Sequence, residues 1–169
     1  MKTIMILTIV AALIVGCSDD DGEFIIHGFA LISEVSFNIL NEDGDDLLDS
    51  VNSGYYPVEE MKLYYLINGE KKEVYDANMY LPRNIGLSTE VTPYRLRVFT
   101  YDGRNCYISE EDGVRTGISI AYLELNKEET DTIKTEWESK EGWYFIVRKV
   151  WYNGELHNAE EAFSVIKSN

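Results

Sequence analysis

The residues best suited to chemistry crowd between positions 41 and 49, where the chain reads Asn41-Glu42-Asp43-Gly44-Asp45-Asp46-Leu47-Leu48-Asp49. Oxygen-bearing side chains alternate at Asn41, Asp43 and Asp45, with Asp49 further on. A hard cation such as Ca2+ seeks such a donor set. The spacing departs from a helix-loop-helix calcium loop, which needs glycine sixth and a bidentate glutamate twelfth. Here glycine is fourth and the twelfth residue is Asn52. The competing reading is an Asp-Gly turn that ends a strand and drops Leu47 and Leu48 back onto a core. That reading is preferred; Ca2+ is the only cofactor the sequence suggests.

Aromatic side chains are the second candidate. Twelve tyrosines and three tryptophans exceed what one small core hides completely. Rings on loops form platforms for the C–H faces of sugars, while their polar tips hydrogen-bond. Against this, tyrosine is simply a good strand former on half-buried faces. Tyr55, Tyr56 and Tyr80 fall in the two longest expected loops, 50–60 and 77–92, and are the candidate ligand-binding rings.

Signatures of catalysis are nearly absent. The chain has no Gly-x-Ser-x-Gly, no His-Glu-x-x-His and no phosphate-cradling glycine loop. His27 and His157 stand far apart with no metal-pair spacing. Thirty acids contain carboxylate pairs by chance, so a small hydrolase is the least favoured class. No catalytic residue is assigned, and the chain is read as a non-enzyme. Two cysteines make neither a disulfide scaffold nor a paired zinc site.

The first sixteen residues carry Lys2, no acid and an apolar run from Ile4 to Val15, the pattern of a secretory signal peptide. That run is too short to span a bilayer comfortably. It ends in Leu13-Ile14-Val15-Gly16-Cys17, which resembles the lipobox of bacterial lipoproteins. The resemblance implies cleavage after Gly16 and acylation of Cys17, and several acyl chains on one residue suffice for a stable anchor. Ser18 then resembles an outer-membrane sorting residue. The block Ser18-Asp19-Asp20-Asp21 is similar to the export signal of Bacteroidota lipoproteins carried to the cell surface. A solvated acidic tether is the plainer reading of the same residues. With Cys17 acylated, Cys106 has no partner in its own chain and reads as a small buried hydrophobe.

Charge and size bound the rest. A net charge of −15 opposes binding to nucleic acid, whose affinity comes largely from Lys and Arg neutralising phosphates. Loss of residues 1–16 would leave 14 bases against 30 acids. At 45% hydrophobic and 12% aromatic the chain is too apolar to be disordered. Its 169 residues suit one domain, expected at 23–169 after a signal peptide at 1–16 and a lipidated tether at 17–22.

Strand patterns dominate that domain. Phe29–Leu40 alternates with Leu31, Ser33, Val35, Phe37 and Ile39 on one face. Met61–Ile67 buries alternate residues and meets Glu70–Tyr75 across Asn68-Gly69, a two-residue hairpin signal. Tyr94, Leu96 and Val98 oppose Arg95 and Arg97 in a strand expected to turn at Asp102-Gly103 into Asn105–Ser109. Ile118–Leu125 reads as an interior strand, followed across Asn126–Glu129 by Asp131–Trp137. Trp143–Tyr152 turns at Asn153-Gly154 into Glu155–His157, and Ala159–Ile166 is either a helical turn or an irregular edge. The expected fold is all-β: an antiparallel β-sandwich, Ig-like or similar, of about seven to nine strands. A small barrel is the alternative.

Three stretches carry a wider resemblance. Residues Phe37–Asp49 look like the opening strand of small Bacteroides-type lipoproteins. Asp131–Trp137 and Val150–Glu155 are similar to that group's closing strands. This resemblance implies an address and a fold, and carries no functional residue. The resulting expectation is an outer-membrane or cell-surface lipoprotein that binds without catalysis, with glycan as the suggested ligand. The alternative is a protein-interaction or assembly subunit of an envelope complex.

Overall fold

A computed structural model describes residues 30–32, 34–101, 106–141 and 143–168. These residues form twelve strands in two packed sheets. The strands are β1 (Ala30–Ile32), β2 (Glu34–Asn41), β3 (Lys62–Ile67), β4 (Glu70–Glu73), β5 (Ile85–Ser88) and β6 (Arg95–Phe99). They continue as β7 (Cys106–Glu111), β8 (Val114–Glu124), β9 (Thr130–Lys140), β10 (Tyr144–Tyr152), β11 (Glu155–Asn158) and β12 (Phe163–Lys167). The larger sheet runs β1-β10-β9-β8-β3-β4, with β11 also on β10 and β7 also on β8. The smaller sheet runs β12-β2-β6-β5. Pairing is antiparallel except for β1 on β10 and β12 on β2. The sandwich is thus as expected, with more strands than seven to nine. The division of Phe29–Leu40 into β1 and β2, together with β5 and β12, accounts for the excess.

Three tight hairpins share one turn chemistry. Asn68-Gly69, Asp112-Gly113 and Asn153-Gly154 each hold two consecutive residues at positive φ, as a turn matching the strand twist requires. The hairpin expected at Asp102-Gly103 does not form. Strand β6 already pairs with β2 on one edge and β5 on the other, so no edge remains for β7. The chain instead changes sheets between Tyr101 and Cys106, and β7 pairs with β8 across Asp112-Gly113. Residues 102–105 themselves lie outside the described set. A second change of sheet separates β1 from β2, within the stretch read as one strand.

Strand periodicity sets the core. From the smaller sheet Val35, Phe37, Ile39, Leu96 and Val98 point inward; from the larger come Leu63, Tyr65, Leu123, Ile133 and Val150. Between Val147 and Lys149 the β9–β10 register slips by one residue. That bulge puts both Arg148 and Lys149 in solvent and returns Val150 and Tyr152 to the core. The 42–61 connection folds Leu47, Leu48 and Met61 over one end of the core. Residues 159–166 supply neither helix nor irregular edge: β12 lies parallel to β2, with Phe163 stacked on Phe37. Within the 77–92 segment, expected as loop, Ile85–Ser88 forms the edge strand β5.

Candidate functional site

The acidic segment is a turn. Asn41 Oδ1 accepts from the Asp45 amide at 2.8 Å, while Asn41 Nδ2 donates to Asp45 Oδ2 at 3.0 Å. Asp49 Oδ1 accepts the Val51 amide at 3.1 Å. Asp46, outside the candidate set, accepts amides from Leu48 and from Tyr94, 48 residues away. Asp43 stays exposed. The Asn41, Asp45, Asp46 and Asp49 oxygens are engaged in hydrogen bonds within the turn and to Tyr94. Among the described residues no three His, Cys, Asp or Glu side chains could together hold a metal ion.

The three tyrosines separate. Tyr56 is half-buried against the core, and its hydroxyl donates to Glu129 Oε2 at 2.6 Å. Tyr55 is half-buried, whereas Tyr80 is 98% exposed. Tyr56 belongs to a polar cluster that joins the sheets. Lys167 Nζ, at the end of β12, lies 2.6 Å from both Glu129 Oε1 and Asp131 Oδ2. Asp131 also accepts from the Tyr152 hydroxyl and from Asn153 Nδ2. Burial, followed by the neighbouring Asp131 carboxylate, pushes the Tyr152 phenol far above its ordinary range. Burial and the bond to Glu129 do the same to Tyr56. Both phenols stay protonated at neutral pH, and every buried side-chain N or O atom described has a partner. The cluster is a clasp.

Aromatic rings on the outer face of the larger sheet are covered by lysines. Lys71 Nζ sits 3.8 Å from the Tyr122 ring centre and Lys134 Nζ 4.5 Å from that of Trp151. Such cation–π lids compete with a stacking sugar. His157 lies flat on Phe163 at 3.9 Å, a packing role. Cys106 is in β7, with its side chain outside the description, and Cys17 and Ser18-Asp19-Asp20-Asp21 lie outside the described residues.

A cleft opens beside β3 and β4, against the 74–84 loop. Its volume is about 240 Å3, below the roughly 300–1,000 Å3 of pockets for drug-sized molecules. Val74, Tyr75 and Met79 form the apolar wall; Lys72, Asp76 and Asn84 supply polar groups. Tyr75 and Met79 are 62% and 56% exposed. The 74–84 loop holds this wall through its own hydrogen bonds. Asp76 N donates to the Pro82 carbonyl at 2.8 Å, and Met79 N to that of Asp76 at 3.1 Å. Asn84, at φ 55°, donates from Nδ2 to the Tyr65 hydroxyl, which donates in turn to the Phe99 carbonyl. Leu81 seats on Gly86, where a Cβ would stand 3.2 Å from Leu81 Cδ1. The loop is therefore fastened to both sheets before any ligand arrives.

The cleft can hold a small ring against an aromatic face and meet its polar rim with donors and acceptors. Of the three candidate tyrosines only Tyr80 belongs to the loop that walls it. Tyr75 was missed because it reads as the tail of the Glu70–Tyr75 strand. The signal was available: a ring two residues after a fully charged edge strand, and before Asp76, Asn78 and Pro82, lies past the end of the sheet. Comparison of the chain with protein-family models, with curated proteins and with solved structures finds no match, so its function is read from this surface.

Proposed function

We propose that this protein is a non-catalytic glycan-binding module, held at the outer membrane by acyl chains on Cys17 and displayed at the cell surface. The observation that carries the binding reading is the Tyr75 cleft, a pre-organised loop presenting a largely exposed ring, with the Arg83 guanidinium 6.0 Å from its centre, beside fixed polar groups. Pre-organisation lowers the entropy lost on binding. Lipobox, acidic tether and net negative charge support the address. A glycan array probed with the full chain in detergent tests the binding, and Tyr75→Ala should abolish every positive signal. Retention of the signals in Tyr75→Ala would move the site elsewhere. For the address, labelled palmitate should enter the wild-type chain but not Cys17→Ala. Protease added to intact cells should remove the domain, and its survival would refute display at the surface.

One observation favours the protein-interaction reading as a second choice. Strand β12 is an open sheet edge without a charge before Lys167, and Ile166 on it is 57% exposed. Natural edges are normally guarded, as β4 is by Glu70, Lys71, Lys72 and Glu73. Pull-down of a single envelope protein, lost on Ile166→Lys, would shift the weight to that reading.

A further inference from the structure

The Tyr75 cleft does not stand alone. A second depression of about 420 Å3 shares Tyr75 and Pro82 with it, and is bounded by Val58, Glu59 and Arg83. A third, shallower and about 740 Å3, shares Glu59 and Arg83 with the second and reaches Lys62, Glu124 and Lys127. The three form one trough along the flank of the sandwich. Ile67 lines one end and Lys62 the other, and these residues are the two ends of β3. At 3.3–3.4 Å per residue that length is about 17 Å, several times the width of a sugar ring.

The charges along the trough are of both signs, and three of its four cations are committed. Arg83 Nη1 donates to the Glu59 carbonyl at 2.6 Å, Lys62 pairs with Glu124 at 3.8 Å, and Lys72 pairs with Glu70. A ligand carrying carboxylates or sulfates would have to break these contacts, and would approach a chain of net charge −15. Hydroxyl groups both donate and accept, so they suit a lining of mixed polar groups.

Resting on the reading of the cleft as a glycan site, we infer that the trough takes a stretch of uncharged oligosaccharide about three rings long. One ring stacks on Tyr75, and the chain continues past Arg83 toward Lys127.

Calorimetry with cello-, xylo-, manno- and malto-oligosaccharides of one to six units, on the full chain in detergent, tests this. For the series that binds, affinity should rise roughly tenfold or more from one unit to three and then level off. Lys127→Ala and Glu128→Ala, both at exposed positions, should weaken the six-unit ligand and leave the one-unit ligand unchanged. Equal affinity for one and six units would overturn the extended site while leaving the Tyr75 cleft intact. Binding only to acidic sugars would overturn the uncharged class. No binding by any sugar, with capture of a peptide that Tyr75→Ala abolishes, would overturn both this inference and the glycan reading.

Discussion

Replacing Lys167 with methionine tests the clasp between the sheets. The ammonium meets two carboxylates at 2.6 Å, with the side chains of Lys167 and Asp131 only 9% and 4% exposed. Methionine keeps most of the aliphatic packing and removes the charge. Asp131 would keep its bonds from Tyr152 and Asn153, but it would face Glu129 with no cation between them. Breaking a buried pair by removing one partner costs about 3–5 kcal/mol, against a total stability of roughly 5–15 kcal/mol for a domain. At about 2–4 °C per kcal/mol for a chain of this size, Tm should fall by roughly 6–20 °C. The control is Lys149→Ala, whose exposed pair with Glu136 spans 3.0 Å and whose loss should cost about 0–1 kcal/mol. Urea unfolding followed by fluorescence of buried Trp137 gives both values, and circular dichroism detects a variant already unfolded. A Lys167→Met chain as stable as Lys149→Ala would refute the clasp.

Alkali should unfold the protein through its tyrosines. Folded Tyr56 and Tyr152 hold their protons above the ordinary value of 10.0, whereas the unfolded chain releases them there. Stability is therefore intact below about pH 10 and declines as pH rises beyond it; Tyr152→Phe should flatten that decline in alkaline urea titrations. At acid pH the Tyr144 hydroxyl, then Arg148, holds Glu138 below its usual 4.5. The carboxylate's contribution is present above that value and fades as pH falls through the lowered one, so carbon-detected NMR should see the Glu138 midpoint rise in Tyr144→Phe. Phe37→Ala empties a fully buried site packed on Tyr152 at 5.0 Å and Phe163 at 5.5 Å. A loss of about 3–5 kcal/mol is expected in urea unfolding, with loss of β12 protection in hydrogen exchange.

Local rules were readable wherever their cause is local. Asn68-Gly69 and Asn153-Gly154 turn because two adjacent positive-φ residues do so in any context. Val35, Phe37 and Ile39 are buried because alternation places them on one face. Asp102-Gly103 carries a similar turn signal, yet β6 and β7 do not pair, since whether β6 has a free edge depends on β2 and β5. Tyr56 and Tyr80 show the same limit at the candidate site. Both are loop tyrosines, and only the fold puts Glu129 beside one and solvent beside the other.

The sequence by itself determined an all-β sandwich, its principal strands, the turn nature of residues 41–49, and the signals that carry the proposed anchor at Cys17. Each depends on residues within a few positions of one another. The tertiary structure alone decided that Lys167 closes on Glu129 and Asp131, and that Val58, Tyr75 and Arg83 line one depression. Those residues lie tens of positions apart or in connections without a period, and only the packing of two twisted sheets sets the distances between them.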